Sequence, residues 1–518
     1  MTNAPELRDV ADRASRGEAP AGRTVPLSEG NEARREGRQG VGASHSTVEA
    51  GEPTRGTRWR EGEAGRMDLL EGKMTGTLRP EPISTRVQQI AELARRSPQM
   101  CFTSLNHHLD LEWMQEAYRR TRKDGAAGVD GQSSAEYSEA LETNLEGLLD
   151  RAKTGSYRAP AVRRVHISKG DGGETRPIGI PTFEDKVLQR AVAMLLEAIY
   201  EQDFLESSYG FRPGRSAHQA LEVLQRELFH AGGGWVIDVD IRKFFDTLDH
   251  GRLQVVVGQR VRDGVVTRLI GKWLNAGVME EGSVSYPEAG SPQGGVISPL
   301  LSNIYLHEVV DRWFEGEVKP RLRGRGWLVR YADDLAIAVT DEADVERVMK
   351  VLPKRLGRYG LSLHPEKTRV VDFRRPSERE PGRQPATFDF LGFTHHWARS
   401  RRGRWVVKRK TAQKRFTRAL KSVSQWCRAN LHRPLADQQQ ALARKLTGHY
   451  NYYGLTGNSN AISRFRYQVK FLWRKWLMRR SQRAKRSWVW FNRLVERYPL
   501  PPARAVHSTY RPVAKPFS

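Results

Sequence analysis

Two adjacent carboxylates, Asp333 and Asp334, stand where two apolar runs meet in Trp327-Leu-Val-Arg-Tyr-Ala-Asp-Asp-Leu-Ala-Ile-Ala-Val339. Apolar residues alternate with others on both sides, so the stretch predicts a β-hairpin with its tip at the acid pair. A bare Asp-Asp pair commonly does no more than solvate a turn. Here neither Gly nor Asn is present to make an ordinary tight turn, and adjacent carboxylates repel unless a cation neutralises them. Hard oxygen ligands suit Mg²⁺, and such a site needs at least one further carboxylate. Asp240 is the candidate. It closes Trp235-Val-Ile-Asp-Val-Asp240, a strand pattern with Trp235, Ile237 and Val239 on one face and Val236, Asp238 and Asp240 on the other. A lone Asp at a strand end is usually a helix cap. Together with Asp333 and Asp334 it makes three acids on two neighbouring strands, a set suited to two Mg²⁺ ions.

Cations precede this acidic set. Arg164-Val-His-Ile-Ser-Lys-Gly-Asp-Gly-Gly-Glu-Thr-Arg-Pro-Ile-Gly-Ile-Pro181 predicts two short strands around a Gly-rich turn, carrying Lys169 and Arg176. Such a hairpin either displays solvated surface charge or brings two cations to a triphosphate. Gly290-Ser-Pro-Gln-Gly-Gly-Val-Ile-Ser-Pro-Leu-Leu-Ser-Asn-Ile-Tyr-Leu-His307 predicts a flexible loop opening a helix, in which Gly294 and Gly295 allow close backbone approach to a ligand.

The elements around these residues follow from periodicity. Helical patterns occupy residues 87–94, 109–118, 139–152, 186–200, 344–359, 411–429 and 438–453, and a Gly/Pro loop at 207–216 opens a further helix at Ala217. Residues 1–80 are rich in Gly, Arg, Glu, Ser and Pro and lack apolar periodicity, which predicts a disordered extension. At 518 residues the chain suits roughly two to four domains. No run of about 18 uncharged apolar residues occurs, so no membrane span is expected, and no apolar signal segment follows Met1. Two cysteines, Cys101 and Cys427, provide neither a disulfide framework nor a zinc finger and suit a reducing cytoplasm.

Net charge is +26, and it is not spread evenly. Residues 391–518 hold 30 Lys and Arg against 2 Asp and Glu, leaving 56 basic and 58 acidic residues in the first 390. Concentrated charge of this kind marks a polyanion-binding region, with nucleic acid the leading partner. Within it, Phe471, Trp473 and Trp476 are interleaved with Arg464, Arg466, Lys470, Arg474, Lys475, Arg479 and Arg480. Either the aromatics form a core that the bases solvate, or bases and rings together hold RNA by phosphate contact and stacking.

Taken in order, Asp240-Ile-Arg-Lys-Phe-Phe-Asp246, Ser291-Pro-Gln-Gly-Gly-Val-Ile-Ser-Pro-Leu300 and Tyr331-Ala-Asp-Asp334 resemble a reverse transcriptase. Lys169, Arg176, Ser208-Tyr-Gly-Phe-Arg-Pro213 and Phe388-Asp-Phe-Leu-Gly-Phe393 narrow the resemblance to the group II intron-encoded reverse transcriptase/maturases. Gly448-His-Tyr-Asn-Tyr-Tyr-Gly454 with Trp473-Arg-Lys-Trp-Leu477 is similar to that family's maturase domain, so the likeness runs from about Thr85 onward. It implies an α+β right-hand polymerase with helical and hairpin fingers, an antiparallel-sheet palm and an all-helical thumb. The expected divisions are an extension at 1–80, a helical extension of the fingers at 81–145, fingers and palm at 146–395, a basic helical thumb at 396–486 and a short basic tail at 487–518. Carried over, Asp240, Asp333 and Asp334 would bind two Mg²⁺ ions and be the catalytic acids. Lys169 and Arg176 would hold the incoming triphosphate, and Phe245 would lie under the deoxyribose and exclude a 2′-hydroxyl. Gln293 would line the nascent base pair, and Lys367 resembles the lysine suspected of protonating pyrophosphate.

The partners implied are group II intron RNA, a DNA primer or target and deoxynucleoside triphosphates, in a bacterial-type cytoplasm and at the nucleoid. Many relatives end in a Cys-rich endonuclease domain, whereas this chain has no cysteine beyond Cys427. The expectation is an endonuclease-lacking type primed by an existing DNA 3′ end. Two rival readings are a splicing maturase with dispensable polymerase activity and a domesticated defence or CRISPR-associated reverse transcriptase. The intact acid set with Lys169 and Arg176 argues against the first, and the full maturase-like segment against the second.

Overall fold

Four helices open the computed structural model, which describes residues 82–168, 175–280, 282–286, 290, 294–377, 386–480 and 487–507, all within one compact unit, Leu78–Ser518. They are α1 (Ile83–Arg96), α2 (Leu111–Arg120), α3 (Ser134–Ser138) and α4 (Leu141–Thr154). Their ends are set locally. Asp110 accepts from the Trp113 amide at the start of α2, Ser133 and Glu136 form a capping box on α3, and Gly155 ends α4 in a left-handed conformation. Strands β1 (Val162–Ser168) and β2 (Thr175–Ile180) follow, then the long helix α5 (Phe183–Asp203) and α6 (Ala217–Ala231). Next come β3 (Trp235–Asp240), α7 (Phe244–Thr247), α8 (His250–Val257), α9 (Gly264–Leu274), β4 (Val278–Glu280) and β5 (Ser283–Ser285). Helix α10 (Ser298–Leu306) widens into π-helical turns over His307–Arg312 and Phe314–Val318.

The hairpin β6 (Gly326–Tyr331) and β7 (Asp334–Val339) precedes α11 (Glu342–Arg358) and β8 (Arg369–Asp372). The last part of the chain holds β9 (Phe388–Phe390), β10 (Phe393–Arg399), β11 (Trp405–Thr411) and helices α12 (Gln413–Ala429), α13 (Leu435–Tyr453), α14 (Ser459–Leu477) and α15 (Trp488–Arg497). Helices and sheets are thus mixed, and the strand pairs are antiparallel except β1 with β4. Two expectations are corrected here. The stretch expected to be all-helical from residue 396 begins instead with the β10–β11 hairpin, because Phe393, Trp397 and Val407 alternate into a core that also takes Phe388 and Phe390. The stretch expected as a tail from residue 487 carries α15, which buries Phe491 and Leu494 against the other helices of this region.

The central sheet has the order β6-β7-β3-β8. Its strands alternate as the sequence demanded. Trp235, Ile237 and Val239 join a large core with α5, α8, α9 and α11, while Val236, Ala336 and Ala338 join a second core with α6 and β9–β11. A third core, built on Leu446, Phe465 and Trp473, unites α12–α15. Among the described residues no helix is long and apolar enough to cross a membrane.

Candidate active site

Strand pairing places the three expected acids. Asp240 ends β3 directly opposite Asp334, the first residue of β7, and Asp333 occupies the turn between β6 and β7. Facing residues of this kind have Cα atoms about 5 Å apart. The hairpin tip lies one residue earlier than the sequence suggested. Tyr331 pairs with Asp334, so Ala332 and Asp333 form the turn, with Ala332 at φ +55° taking the left-handed conformation usually left to Gly.

Charge repulsion is evident at this end of the sheet. Burial and the neighbouring Asp333, Asp238 and Asp240 push the Asp334 carboxyl up to about 6. Solvent reaches Asp334, yet the surrounding protein strips much of its hydration. Burial, with a contribution from Asp240, also raises the Asp333 pKa, while Arg176 on β2 opposes the rise. Asp238, on the same face as Asp240, is raised by burial even though its Oδ2 accepts from Arg369 Nε at 3.0 Å. Among the described residues no three His, Cys, Asp or Glu side chains stand close enough together to enclose an ion. The donor set nevertheless fits a hard divalent cation: it is all carboxylate oxygen, mutually repelling and held at one sheet end, and side-chain rotation would be needed to converge it.

The backbone behind Asp240 is pinned. Its carbonyl accepts from the His364 amide at 2.8 Å, and its amide donates to Thr368 Oγ1 at 3.3 Å. This brings Lys367 to the site, with Nζ 3.9 Å from Asp240 Oδ2. Arg176 is exposed on β2. Phe245 is half-buried in α7, its ring centroid 5.2 Å from that of Phe244. Lys169 and Gln293 lie outside the described residues. Gly294 approaches β2 so closely that a Cβ would sit 2.4 Å from the Gly179 carbonyl oxygen, so Gly294 itself, in the loop before α10, lies against the strand carrying Arg176. Gly290 packs in the same way against the Phe245 and Asp246 carbonyls, at 3.0 Å for each.

That loop is held from below by a buried network. Gln189 of α5 accepts through Oε1 from the amides of Val296, at 2.8 Å, and Ile297, at 3.3 Å. Its own amide donates to Asp185 Oδ2 at 3.0 Å, while Tyr157 Oη and Trp273 Nε1 donate to Asp185 Oδ1 at 2.5 and 2.7 Å. Burial pushes the Asp185 carboxyl up to about 6.

The seven basic residues nominated on α14 and beyond divide. Arg466 donates to the Pro501 and Leu500 carbonyls, and Arg480 to those of Leu431 and Arg433, so these two tie the helical region together. Arg464 lies over Phe416, Arg474 over Trp488, and Lys475 and Arg479 over Trp476, while Lys470 donates to Asn492 Oδ1 at 3.3 Å. Trp473 is core, with its Nε1 donating to Gln438, whereas Phe471 and Trp476 remain half-buried. The core alternative therefore describes Trp473, Arg466 and Arg480, while Phe471 and Trp476 stay half-buried with bases beside them. The sequence reading gave no role to Arg415 on α12, whose charge is felt at Asp334, nor to Asp238. The strand alternation that selected Asp240 also put Asp238 on its face and could have flagged it.

Residues 167–395, which include Asp240, Asp333 and Asp334, match the family described as reverse transcriptase (RNA-dependent DNA polymerase). The chain is 37% identical over 292 residues to Protein YkfC of Escherichia coli K12, a match covering 50% of this chain and 76% of that protein. It is 35% identical over 232 residues to the group II intron-encoded protein LtrA of Lactococcus lactis, covering 44% of this chain and 38% of LtrA. It is also 33% identical over 175 residues to the mitochondrial nuclear intron maturase 2 of Arabidopsis thaliana, covering 26% and 24%. The chain thus spans about three quarters of the first of these and well under half of the other two. With the acid set inside the matched stretch, the chain belongs to the reverse transcriptase (RNA-dependent DNA polymerase) family, among whose members similar to it are group II intron-encoded proteins and intron maturases.

Proposed function

We propose that the chain binds group II intron RNA, assists its splicing and copies it into DNA. The observation that carries the polymerase half is the register that sets Asp240 opposite Asp334, with Asp333 in the adjoining turn. In this reading the sheet containing β1 and β2 and the helices before it are fingers, the central sheet is a palm, and α12–α15 are a thumb. Asp240, Asp333 and Asp334 would hold two Mg²⁺ ions, which would lower the pKa of a primer 3′-hydroxyl and neutralise departing pyrophosphate.

The remaining work falls to the chain's own residues. Arg176 and Lys169 pair with the triphosphate and orient it toward the acids. Phe245 closes the floor under the sugar and leaves no room for a 2′-hydroxyl. Lys367, beside Asp240, is within reach to give a proton to pyrophosphate. Bases on α12–α14 hold RNA by its phosphates. Such chemistry depends mainly on positioning and fixed charge, which suits a site assembled from strand ends and pinned loops.

The test is primer extension on an RNA template with Asp333→Asn. Extension is expected to fall by roughly three orders of magnitude or more, with RNA binding within about twofold of the parent. Retained extension would remove Asp333 from the site. Splicing of the intron by the same variant separates the two roles: splicing without extension leaves the maturase function independent of the polymerase acids.

A further inference from the structure

The turn carrying Asp333 has a backbone that its own residues do not favour. Ala332 lies at φ +55°, and Phe211, on the neighbouring loop, lies at φ +56°, both in the left-handed region that a Cβ disfavours. The Phe211 and Tyr331 ring centroids are 6.3 Å apart. Gly210 lies beside this pair and closes on the turn, so that a Cβ there would stand 2.3 Å from the Ala332 amide nitrogen. Two strained residues and one close approach persist only where the surroundings over-determine them.

The surroundings are built on Arg330, fully buried one residue before Tyr331. Its Nε and Nη2 donate to Asp311 Oδ1 and Oδ2 at 2.7 and 2.6 Å. Nη1 donates to Asn303 Oδ1 at 2.8 Å and to the Ala332 carbonyl at 3.2 Å. Asn303 in turn donates to the Gly210 carbonyl at 2.7 Å. The guanidinium therefore holds one wall of the close approach directly and the other through Asn303. Around the same residue, the Tyr209 amide donates to the Arg330 carbonyl at 2.9 Å, and the Arg330 amide to the Ser207 carbonyl at 2.8 Å.

Stability alone does not call for such an arrangement. A fully buried ion pair gains little over apolar side chains of the same volume, because both charges lose their hydration. What a bidentate guanidinium supplies is geometry, since five donors in a rigid fork fix several acceptors at once.

We propose that Arg330, clamped by Asp311 and Asn303, is a positioning residue that sets the turn so that Asp333 and Asp334 leave it oriented toward Asp240. The proposal rests on reading those three acids as the polymerase site. Loosening the clamp leaves the acids present but misaimed, and the site then needs more divalent cation to converge them.

The test uses the full chain and the variants Asn303→Ala, which leaves the Arg330–Asp311 pair intact, and Arg330→Lys, which keeps the charge and loses the fork. Amide hydrogen exchange is followed in peptides covering residues 327–339 and 413–429, alongside primer extension titrated with Mg²⁺. Expected in both variants is faster exchange confined to 327–339, a rise in the Mg²⁺ needed for half-maximal rate and a fall in kcat, each by about tenfold or more. The KM for nucleotide and the affinity for template–primer should stay within about twofold. Unchanged exchange at the turn, or faster exchange with an unchanged Mg²⁺ requirement and kcat, overturns the proposal. Should Arg330→Lys not fold, Asn303→Ala decides alone. Asp333→Asn, run in parallel, reports separately on the polymerase reading, because its retained extension would sink that reading while exchange in Asn303→Ala still scores the clamp.

Discussion

Carboxylates set opposite each other on neighbouring strands destabilise a sheet, so their presence needs a compensating role. Asp240 and Asp334 stand in that relation, with Asp333 and Asp238 adding to the same field. Among the described residues the compensation comes from Arg369, 3.0 Å from Asp238, from Lys367, 3.9 Å from Asp240, and from the charges of Arg176, Arg330 and Arg415. A residue-scale prediction concerns Phe245, whose half-buried ring is backed by Phe244 and whose backbone carbonyl is approached by Gly290. In Phe245→Ala the floor recedes, and the preference for deoxyribonucleotides over ribonucleotides should fall by about 10- to 100-fold. The ratio of kcat/KM for the two nucleotides measures it, and an unchanged ratio would place the sugar elsewhere. At this scale the acids were legible because each stands at the end of a clearly alternating run. Arg330, Asp311 and Asn303 were not. Nothing in their spacing says that two polar residues in an apolar helical stretch meet a strand arginine 19 and 27 positions away.

Among the elements, α5 acts as a spine, because Asp185 and Gln189 connect its buried face to the loop at Val296 and Ile297. The carboxyl of Asp185, pushed up to about 6 by burial, gives this connection a pH signature. The folded chain holds that proton more tightly than the unfolded chain, where an Asp titrates near about 3.9. Its contribution to stability is therefore full below about pH 4 and is lost as pH rises through about 6. The ceiling on the loss is on the order of 2–3 kcal/mol. Urea unfolding at pH 4.5 and 7 should show a fall in the midpoint that is smaller in Asp185→Asn. Equal falls in parent and variant would mean that Asp185 titrates normally. Element positions were readable from periodicity and caps, as with α6, whose Ser216–Gln219 capping box opens it at Ala217. The β10–β11 hairpin was misread because its Arg- and Lys-rich strands lie inside a basic stretch that otherwise forms helices.

Taken whole, the molecule separates its charge: an acidic sheet end in the central sheet and a basic helical region after it. Exposed bases on α12, such as Lys414 and Arg418, and bases with internal partners, such as Arg466, should behave differently. Lys414→Ala combined with Arg418→Ala is expected to weaken intron RNA binding and reduce the slope of log affinity against log salt by about 1–2. Arg466→Ala frees the Pro501 and Leu500 carbonyls and should lower the thermal unfolding temperature with little change in that slope. Filter binding across a salt series, read beside a melting curve, checks both. An equal slope change in the two proteins would contradict the division.

By itself the sequence determined the types of most elements, the β10–β11 hairpin excepted, the acids at their ends and the concentration of positive charge, since all three are local properties of residue order. Only the tertiary structure decided which strands are neighbours. Burying one apolar face of β3 in the core shared with α5 and α11 and the other in the core shared with α6 and β9–β11 fixes its register with β7, and that register alone makes Asp240 and Asp334 face each other. It also decided which bases, such as Arg466 and Arg480, tie the fold together, because a guanidinium's partner is whatever carbonyl long-range packing brings within reach. The strained turn at Ala332 belongs to the same class: no local rule selects Ala there, and the contacts of Gly210 and Arg330 supply the reason.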